Sequence, residues 1–102
     1  MCIRDSFSHA YPEGCSIYFT LLAAAGNERL AKERYTRFWK AALDAAAAAG
    51  ATASHHHGVG LMKRTYAAQE QGNALALYRA AKKSLDPEGI LNPDKLFPDE
   101  AP

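Results

Sequence analysis

The clearest short-range pattern in the chain is an alternation of apolar and polar side chains over residues 15–22. Apolar residues take every second position and polar residues lie between them, which is the period of a β-strand with two different faces. Residues 9–14 precede this stretch and contain a proline and a glycine, which is typical of a turn. The pattern predicts a strand that places Tyr18 on its polar face and Phe19 in a core.

A helical pattern follows between Asn27 and Gly50. Asn27 is the predicted N-cap, and the carboxylate of Glu28 falls in the first turn, where the helix dipole favours negative charge. Apolar side chains recur every three or four positions and form one stripe, which comprises Ala31, Tyr35, Phe38, Trp39, Ala42, Ala46 and Ala49. Opposite charges four residues apart predict supporting ion pairs, which are Glu28 with Lys32, Glu33 with Arg37, and Lys40 with Asp44.

The second half of the chain begins with a predicted short extended segment at residues 51–54. A second helix is predicted from about Ala67 to Ser84, with a weak point at Gly72 because glycine disfavours a helix interior. Asp86 and Pro87 end this helix, since the residue before a proline avoids the helical region. The proline-rich segment that follows is predicted to wrap without helix.

These elements together predict an α+β fold. We expect a partial ferredoxin-like cap, built from a strand, a long helix and a short strand, followed by a C-terminal helix and an extended proline-rich tail. Residues 1–7 are expected to be a non-native or disordered start, residues 8–98 the folded part, and residues 99–102 a terminal tail.

Composition and charge argue against several classes of function. The chain has 102 residues and is 48% hydrophobic, but 21 of its residues are alanine, so few large apolar side chains remain for a core. The net charge of +1 gives no electrostatic support for nucleic-acid binding. Two cysteines are too few for a disulfide framework or a four-thiolate zinc site. No apolar stretch approaches the roughly 20 residues of a membrane span, so we expect a soluble chain.

Three consecutive histidines, His55, His56 and His57, are the least ordinary feature of the sequence. In an extended segment the first and third rings would share one face and His56 would point to the other, so three ligands could not converge on one ion. No further ligand follows at a recognisable spacing, and we therefore expect no metal site. An inert surface run is the plain alternative. Gly58 and Gly60 argue against it, because paired glycines indicate a close approach of the backbone to a neighbour or ligand.

Two motifs carry a family resemblance. The run Ser-His-His-His-Gly-Val-Gly at 54–60, followed by Leu-Asp-Pro-Glu-Gly-Ile-Leu-Asn-Pro-Asp-Lys-Leu at 85–96, resembles the C-terminal part of FAD-linked oxidases of the vanillyl-alcohol-oxidase type. The tail motif is shared widely in that superfamily, whereas the histidine run resembles the alkyldihydroxyacetonephosphate synthases, which make the ether bond of ether lipids. The strand around Tyr18 also resembles the segment of those enzymes that carries an active-site tyrosine.

The resemblance implies a transferase that exchanges the acyl group of acyl-dihydroxyacetone phosphate for a long-chain alkyl group, with FAD as cofactor and a fatty alcohol as second substrate. It implies that Tyr18 assists deprotonation of the substrate carbon and that His55, His56 and His57 serve as acids and bases. Imidazole suits this independently, because it titrates near neutrality. His56 is the first choice among the three, because it alone is expected to point away from its neighbours. Asn92 and Lys95 are weaker candidates for cofactor contact.

The phosphate-cradling loop expected for FAD is not found in the sequence, so the resemblance implies that a preceding FAD-binding domain of the same chain supplies most of the cofactor site. Residues 8–98 would then be the C-terminal part of a cap domain, inactive and poorly stable alone. The alternatives are an FAD-linked 2-hydroxy-acid oxidoreductase and a non-enzymatic helical module. A homodimer and peripheral contact with a membrane stay open, and the expected location is the cytoplasm, or the peroxisome in a eukaryote.

Overall fold

The computed structural model describes residues 2–98. Two strands, β1 (Cys2–Tyr11) and β2 (Gly14–Leu22), precede three helices, α1 (Glu28–Ala48), α2 (Gly60–Gln71) and α3 (Ala74–Leu85). This order confirms the α+β class. The chain divides into two compact units, Met1–Asp44 and Ala45–Pro102, and each is described by itself.

The two strands of the first unit form an antiparallel hairpin. Pro12 and Glu13 make the turn between them, and β2 confirms the predicted strand. A break in register between Ser8 and Ala10 leaves the intervening His9 at a φ of +51°, so the ladder bulges there. No strand was predicted over residues 2–7, whereas the structure pairs them with β2, which differs from a disordered start. A non-native origin of these residues stays a prediction.

The hairpin has one polar and one apolar face. Residues paired across an antiparallel ladder share a face, so Ser6 lies with Tyr18, and Phe7 with Ile17. The prediction that Tyr18 lies on the polar side of the strand is therefore confirmed. The prediction of a core around Phe19 is wrong, because 61% of that side chain is exposed. An isolated pair of strands has no second layer to cover its apolar face.

Helix α1 begins as the sequence predicts. The Asn27 side chain accepts a hydrogen bond from the Leu30 amide at 2.9 Å and so caps the first turn. Ion pairs join Lys32 to Glu28 and Lys40 to Asp44 as predicted, but Glu33 pairs with Arg29, one turn before it, at 2.6 Å.

The apolar stripe of α1 is only partly covered. Phe38 and Trp39 of the stripe are half-buried, and the buried residue of the helix, Leu43, was not among the residues of the predicted stripe. Tyr35 is 58% exposed although it lies on the predicted stripe, and its ring stacks on that of Trp39 with centroids 6.0 Å apart. A helix with one buried residue contributes little core, which agrees with the small number of large apolar side chains in the composition.

The second unit corrects two predictions. Residues 51–57 form bends and irregular backbone, so the predicted short strand is wrong. The predicted helix from about Ala67 to Ser84 is two helices, because the chain breaks at Gly72, whose φ of +51° and ψ of −126° a helix cannot contain. The first of them starts at Gly60, earlier than predicted. The end at Asp86 and Pro87 is confirmed, and residues 87–98 contain no helix or strand.

The tail after α3 is held by hydrogen bonds to its backbone. The buried carboxylate of Asp86 accepts from the amides of Ile90 and Leu91 at 3.0 Å each, and from the ammonium of Lys82. Arg64 of α2 donates to the carbonyl oxygen of Asp94 at 2.7 Å. The second unit is therefore two helices with an irregular tail fastened along them.

Candidate functional site

The histidine triplet lies in a loop between α1 and α2. Residues 55–57 form consecutive bends, and Gly58 follows with a φ of +77°. An L-residue avoids that conformation, so a glycine is needed at this position of the loop before α2. Gly60, at a φ of +54°, then opens the helix. The loop, and not a strand, therefore presents the three histidines.

The three rings lie against one another. The ring centroids of His55 and His56 are 4.6 Å apart and those of His56 and His57 are 4.3 Å apart, both edge to face. The Nδ1 atoms of His55 and His56 are in hydrogen-bonding contact, so one nitrogen donates to the other. The expected alternation of faces is wrong, because the bends turn His56 between its neighbours. All three residues are exposed.

Two sets of hydrogen bonds restrain this loop. The carboxylate of Glu70 on α2 accepts from the hydroxyl of Thr52 and from the amide of Ala53, both at 2.7 Å. The Ser54 hydroxyl donates to the carbonyl oxygen of Gly58 at 2.6 Å and closes the loop across the triplet. Sequence reasoning missed Glu70, which lies 17 and 18 residues from its partners in the chain.

Tyr18 belongs to the first unit. Its side chain is 39% exposed and lies on the polar face of the hairpin beside Ser6. A shallow cavity of about 390 Å³ is lined by Arg4, Asp5, Ser6, Tyr18 and Thr20. The phenol is thus accessible and among polar groups, as proton transfer requires.

Asn92 and Lys95 lie together in the tail. With Arg79, Lys82, Asp94, Leu96, Phe97 and Pro98 they line a cavity of about 220 Å³. The lining includes the amide of Asn92 and the ammonium of Lys95, which can donate hydrogen bonds to an acceptor oxygen. The volume is below the roughly 300–1,000 Å³ of sites for complete small molecules.

The electrostatics of the tail centre on Asp86. The Lys82 ammonium that donates to this carboxylate holds the pKa of Asp86 below its ordinary value of 3.8, and the amides of Leu91 and Ile90 act in the same direction. Burial opposes them. Asp86 is therefore ionised at neutral pH, and it fixes the turn that leads to Asn92.

Arg64 of α2 contacts the tail through its side chain. Its guanidinium donates to the carbonyl oxygens of Asp94 and Phe97, at 2.7 and 3.3 Å. Arg79 likewise donates to the carbonyl oxygen of Pro98 at 3.1 Å and lies over the Phe97 ring, 5.8 Å from its centroid. Both arginines therefore hold the tail in place, a role that no local sequence pattern indicates.

Comparison with known proteins gives a family. The model of the family described as FAD linked oxidases, C-terminal domain, matches residues 6–96. Alkyldihydroxyacetonephosphate synthase of Dictyostelium discoideum is 34% identical over 92 residues, 89% of the chain and 15% of the relative. Mitochondrial D-lactate dehydrogenase [cytochrome] of Kluyveromyces lactis is 49% identical over 47 residues, 45% of the chain and 8% of the relative.

Mitochondrial D-2-hydroxyglutarate dehydrogenase of Danio rerio is 39% identical over 66 residues, 64% of the chain and 10% of the relative. The chain thus spans 8 to 15% of the length of these three relatives. No solved structure matches it. Among residues 2–98, no helix is long and apolar enough to cross a membrane.

Proposed function

The chain belongs to the family of C-terminal domains of FAD-linked oxidases, and from this premise we propose that it is the C-terminal part of a longer flavoenzyme of the alkyldihydroxyacetonephosphate synthase type. The proposed reaction exchanges the fatty acyl group of acyl-dihydroxyacetone phosphate for a long-chain alkyl group taken from a fatty alcohol. The similarity to the Dictyostelium synthase over 89% of the chain supports this choice.

The observation that carries the proposal is the cluster of three imidazole rings on one exposed loop. An exchange of an acid for an alcohol needs one proton delivered to the departing carboxylate and one removed from the incoming hydroxyl. Neighbouring imidazoles can do both near neutral pH, because each ring nitrogen either donates or accepts. The contact between the Nδ1 atoms of His55 and His56 supports proton transfer between these two rings.

Tyr18 and His56 have separate proposed roles. The phenol of Tyr18 takes part in removing the proton from the substrate carbon, and its accessible position on the polar face of the hairpin supports this role. His56 is the proposed principal acid and base, because its ring contacts both neighbouring rings. These are the residues to substitute first.

FAD, when bound, supplies the electrophilic ring system on which the exchange depends. We assign to Asn92 and Lys95 a contact with a polar part of the cofactor, because both line the tail cavity. The small volume of that cavity supports a division of labour in which a preceding domain holds most of the FAD.

A second candidate is an FAD-linked 2-hydroxy-acid oxidoreductase. It is favoured by the 49% identity to a D-lactate dehydrogenase, although that match covers 45% of the chain. The two functions differ in one observable, because an oxidoreductase leaves its flavin reduced after the substrate reacts, whereas an exchange involves no net redox change.

The decisive experiment uses the complete open reading frame that contains this chain, expressed and loaded with FAD. We expect incorporation of labelled fatty alcohol into the product from acyl-dihydroxyacetone phosphate, and no bleaching of the flavin by D-lactate or D-2-hydroxyglutarate. In His56→Ala the exchange falls by about 100-fold or more at unchanged flavin content. Bleaching without exchange would overturn the synthase assignment in favour of the oxidoreductase.

A matched pair of tyrosines tests the other assignment. Tyr18→Phe is expected to lower the exchange rate by at least about tenfold, whereas Tyr78→Phe, on an exposed ring of α3, leaves it unchanged. Equal rates in the two variants would exclude Tyr18 from a role in the proposed reaction.

A further inference from the structure

The histidine loop has no hydrogen-bonded ladder of its own. Residues 55–57 are exposed bends, and side chains in such segments sample several conformations unless other contacts restrain them. Proton transfer depends on placement, since a shift of about 1 Å in a reacting group lowers rates by roughly 100-fold. The rate of the proposed proton transfer therefore depends on the contacts that restrain this loop.

Glu70 forms two hydrogen bonds to the segment that precedes the triplet. One carboxylate oxygen accepts from the Thr52 hydroxyl and the other from the Ala53 amide, each at 2.7 Å. The Thr52 hydroxyl also lies 3.3 Å from the carbonyl oxygen of Ser54. Because a hydroxyl has one hydrogen, the shorter contact with Glu70 receives it. Both acceptor oxygens of Glu70 are thus used on two consecutive residues.

We propose that Glu70 is a positioning residue, which ties the start of the histidine loop to helix α2 and so holds His55, His56 and His57 in their mutual contact. Its part in the reaction rests on the function proposed above, whereas its hold on the loop does not. A carboxylate suits this task because it offers two acceptors and no donor, and charge-assisted hydrogen bonds are stronger than neutral ones. The Ser54 to Gly58 hydrogen bond then restrains the far side of the loop.

The geometry makes a graded prediction. Glu70→Ala removes both hydrogen bonds to the loop. Glu70→Gln keeps one oxygen that can accept from the Ala53 amide and gains an NH2 group that can donate to the Thr52 hydroxyl oxygen, so neutral hydrogen bonds replace the stronger charge-assisted ones. Thr52→Val removes the hydroxyl alone and keeps the Ala53 amide bond. The order of effects is therefore Glu70→Ala largest, with Glu70→Gln and Thr52→Val intermediate.

The first measurement is hydrogen exchange followed by mass spectrometry on the complete, FAD-loaded protein. In Glu70→Ala the peptide that covers residues 51–60 should exchange at least about tenfold faster, because the Ala53 amide loses its acceptor. Peptides from α3 should be unchanged. Gln69→Ala is the matched control, an exposed neighbour on the same helix, and should leave both peptides as they are.

The second measurement separates positioning from a general structural role. With active sites counted by bound flavin, kcat for exchange should fall about tenfold in Glu70→Ala while KM stays within about twofold. Glu70→Gln should recover part of kcat. The double variant Thr52→Val with Glu70→Ala should be no slower than Glu70→Ala alone, because both changes remove the same contact.

The outcomes are distinct. If hydrogen exchange at residues 51–60 is unchanged in Glu70→Ala, the proposal is overturned, whatever the enzymatic rate. Faster hydrogen exchange with an unchanged kcat overturns the proposed effect of Glu70 on the reaction, because the loop is then loosened without a loss of rate. If the protein proves to be an oxidoreductase, hydrogen exchange still decides whether Glu70 holds the loop. The kcat for hydroxy-acid oxidation is then measured in place of the kcat for acyl-for-alkyl exchange.

Discussion

The ammonium of Lys82 contacts the carboxylate of Asp86 one helical turn further along, at the point where α3 ends and the tail begins. Asp86 is 5% exposed, and its carboxylate also accepts hydrogen bonds from the backbone amides of Ile90 and Leu91. Lys82 also donates to the carbonyl oxygen of Leu91 at 2.9 Å. One ion pair thus joins the helix end to the turn that presents the tail motif.

Removing the charge of Asp86 should loosen that turn. In Asp86→Asn the ion pair with Lys82 is lost and one side-chain oxygen is replaced by a donor. One of the two backbone amides that donate to Asp86 therefore has no acceptor. We expect faster hydrogen exchange at Ile90 and Leu91 and little change in α2. Asp94→Asn is the control, because Asp94 contacts Arg64 of α2 through its backbone carbonyl oxygen. Equal effects of the two substitutions would contradict the anchoring role.

The same carboxylate predicts a dependence on pH. The Lys82 ammonium lowers the pKa of Asp86 in the folded state below 3.8, so its contribution to stability is fully present above that value. The contribution is lost as the pH falls from about 3.8 through the lowered pKa. The amide resonances of Ile90 and Leu91 should therefore shift together with a midpoint below 3.8, and Asp86→Asn should abolish the shift. A midpoint at or above 3.8 would show that the ion pair is absent in solution.

The start of α1 offers a matched test of capping. The side chain of Asn27 caps the helix, whereas Asn73 at the start of α3 makes no cap hydrogen bond with its side chain. Asn27→Ala should destabilise the first turn of α1 by about 1 kcal/mol, measured by amide exchange in that turn. Asn73→Ala should leave the first turn of α3 within a few tenths of a kcal/mol. A similar loss at both positions would mean that the cap at Asn27 is not formed.

The break between α2 and α3 depends on glycine. Gly72 has a φ of +51°, and an alanine there is strained although no atom would meet its Cβ within 4 Å. We expect Gly72→Ala to destabilise the α2 and α3 pair by about 1–2 kcal/mol, as seen by amide exchange across both helices. Gly26 is the control, because its φ is ordinary and its Cβ position is equally open. A stabilised, continuous helix in Gly72→Ala would contradict this expectation.

The 102-residue chain should unfold without cooperativity when it is expressed alone. Leu43 is the one hydrophobic residue buried within residues 2–98, and the apolar face of the hairpin carries exposed side chains such as Phe7 and Phe19. So small a core offsets little of the conformational entropy of folding. Scanning calorimetry should therefore show a broad transition with little excess heat, and a sharp two-state transition would contradict the expectation.

Much of the local structure could be predicted from the sequence alone, because it depends on neighbours in the chain. Strand β2 follows from the period of two, the start of α1 from Asn27, and the end of α3 from Asp86 before Pro87. Two of the predicted helical ion pairs also formed, since their partners lie one turn apart. The family resemblance of the histidine and tail motifs was likewise readable from the residues themselves.

Contacts between distant residues decided the rest. The backbone of β1 pairs with that of β2, and this pairing extends the sheet over residues 2–7, where no strand was predicted. The three histidines were expected to alternate, but Gly58 and the hydrogen bonds of Glu70 bend the segment until the rings touch. Hydrogen bonds over 17 or 30 residues leave no periodic trace in a sequence. Local patterns therefore determined the elements, and tertiary contacts determined how the candidate site is shaped, because only folding brings such donors and acceptors within reach.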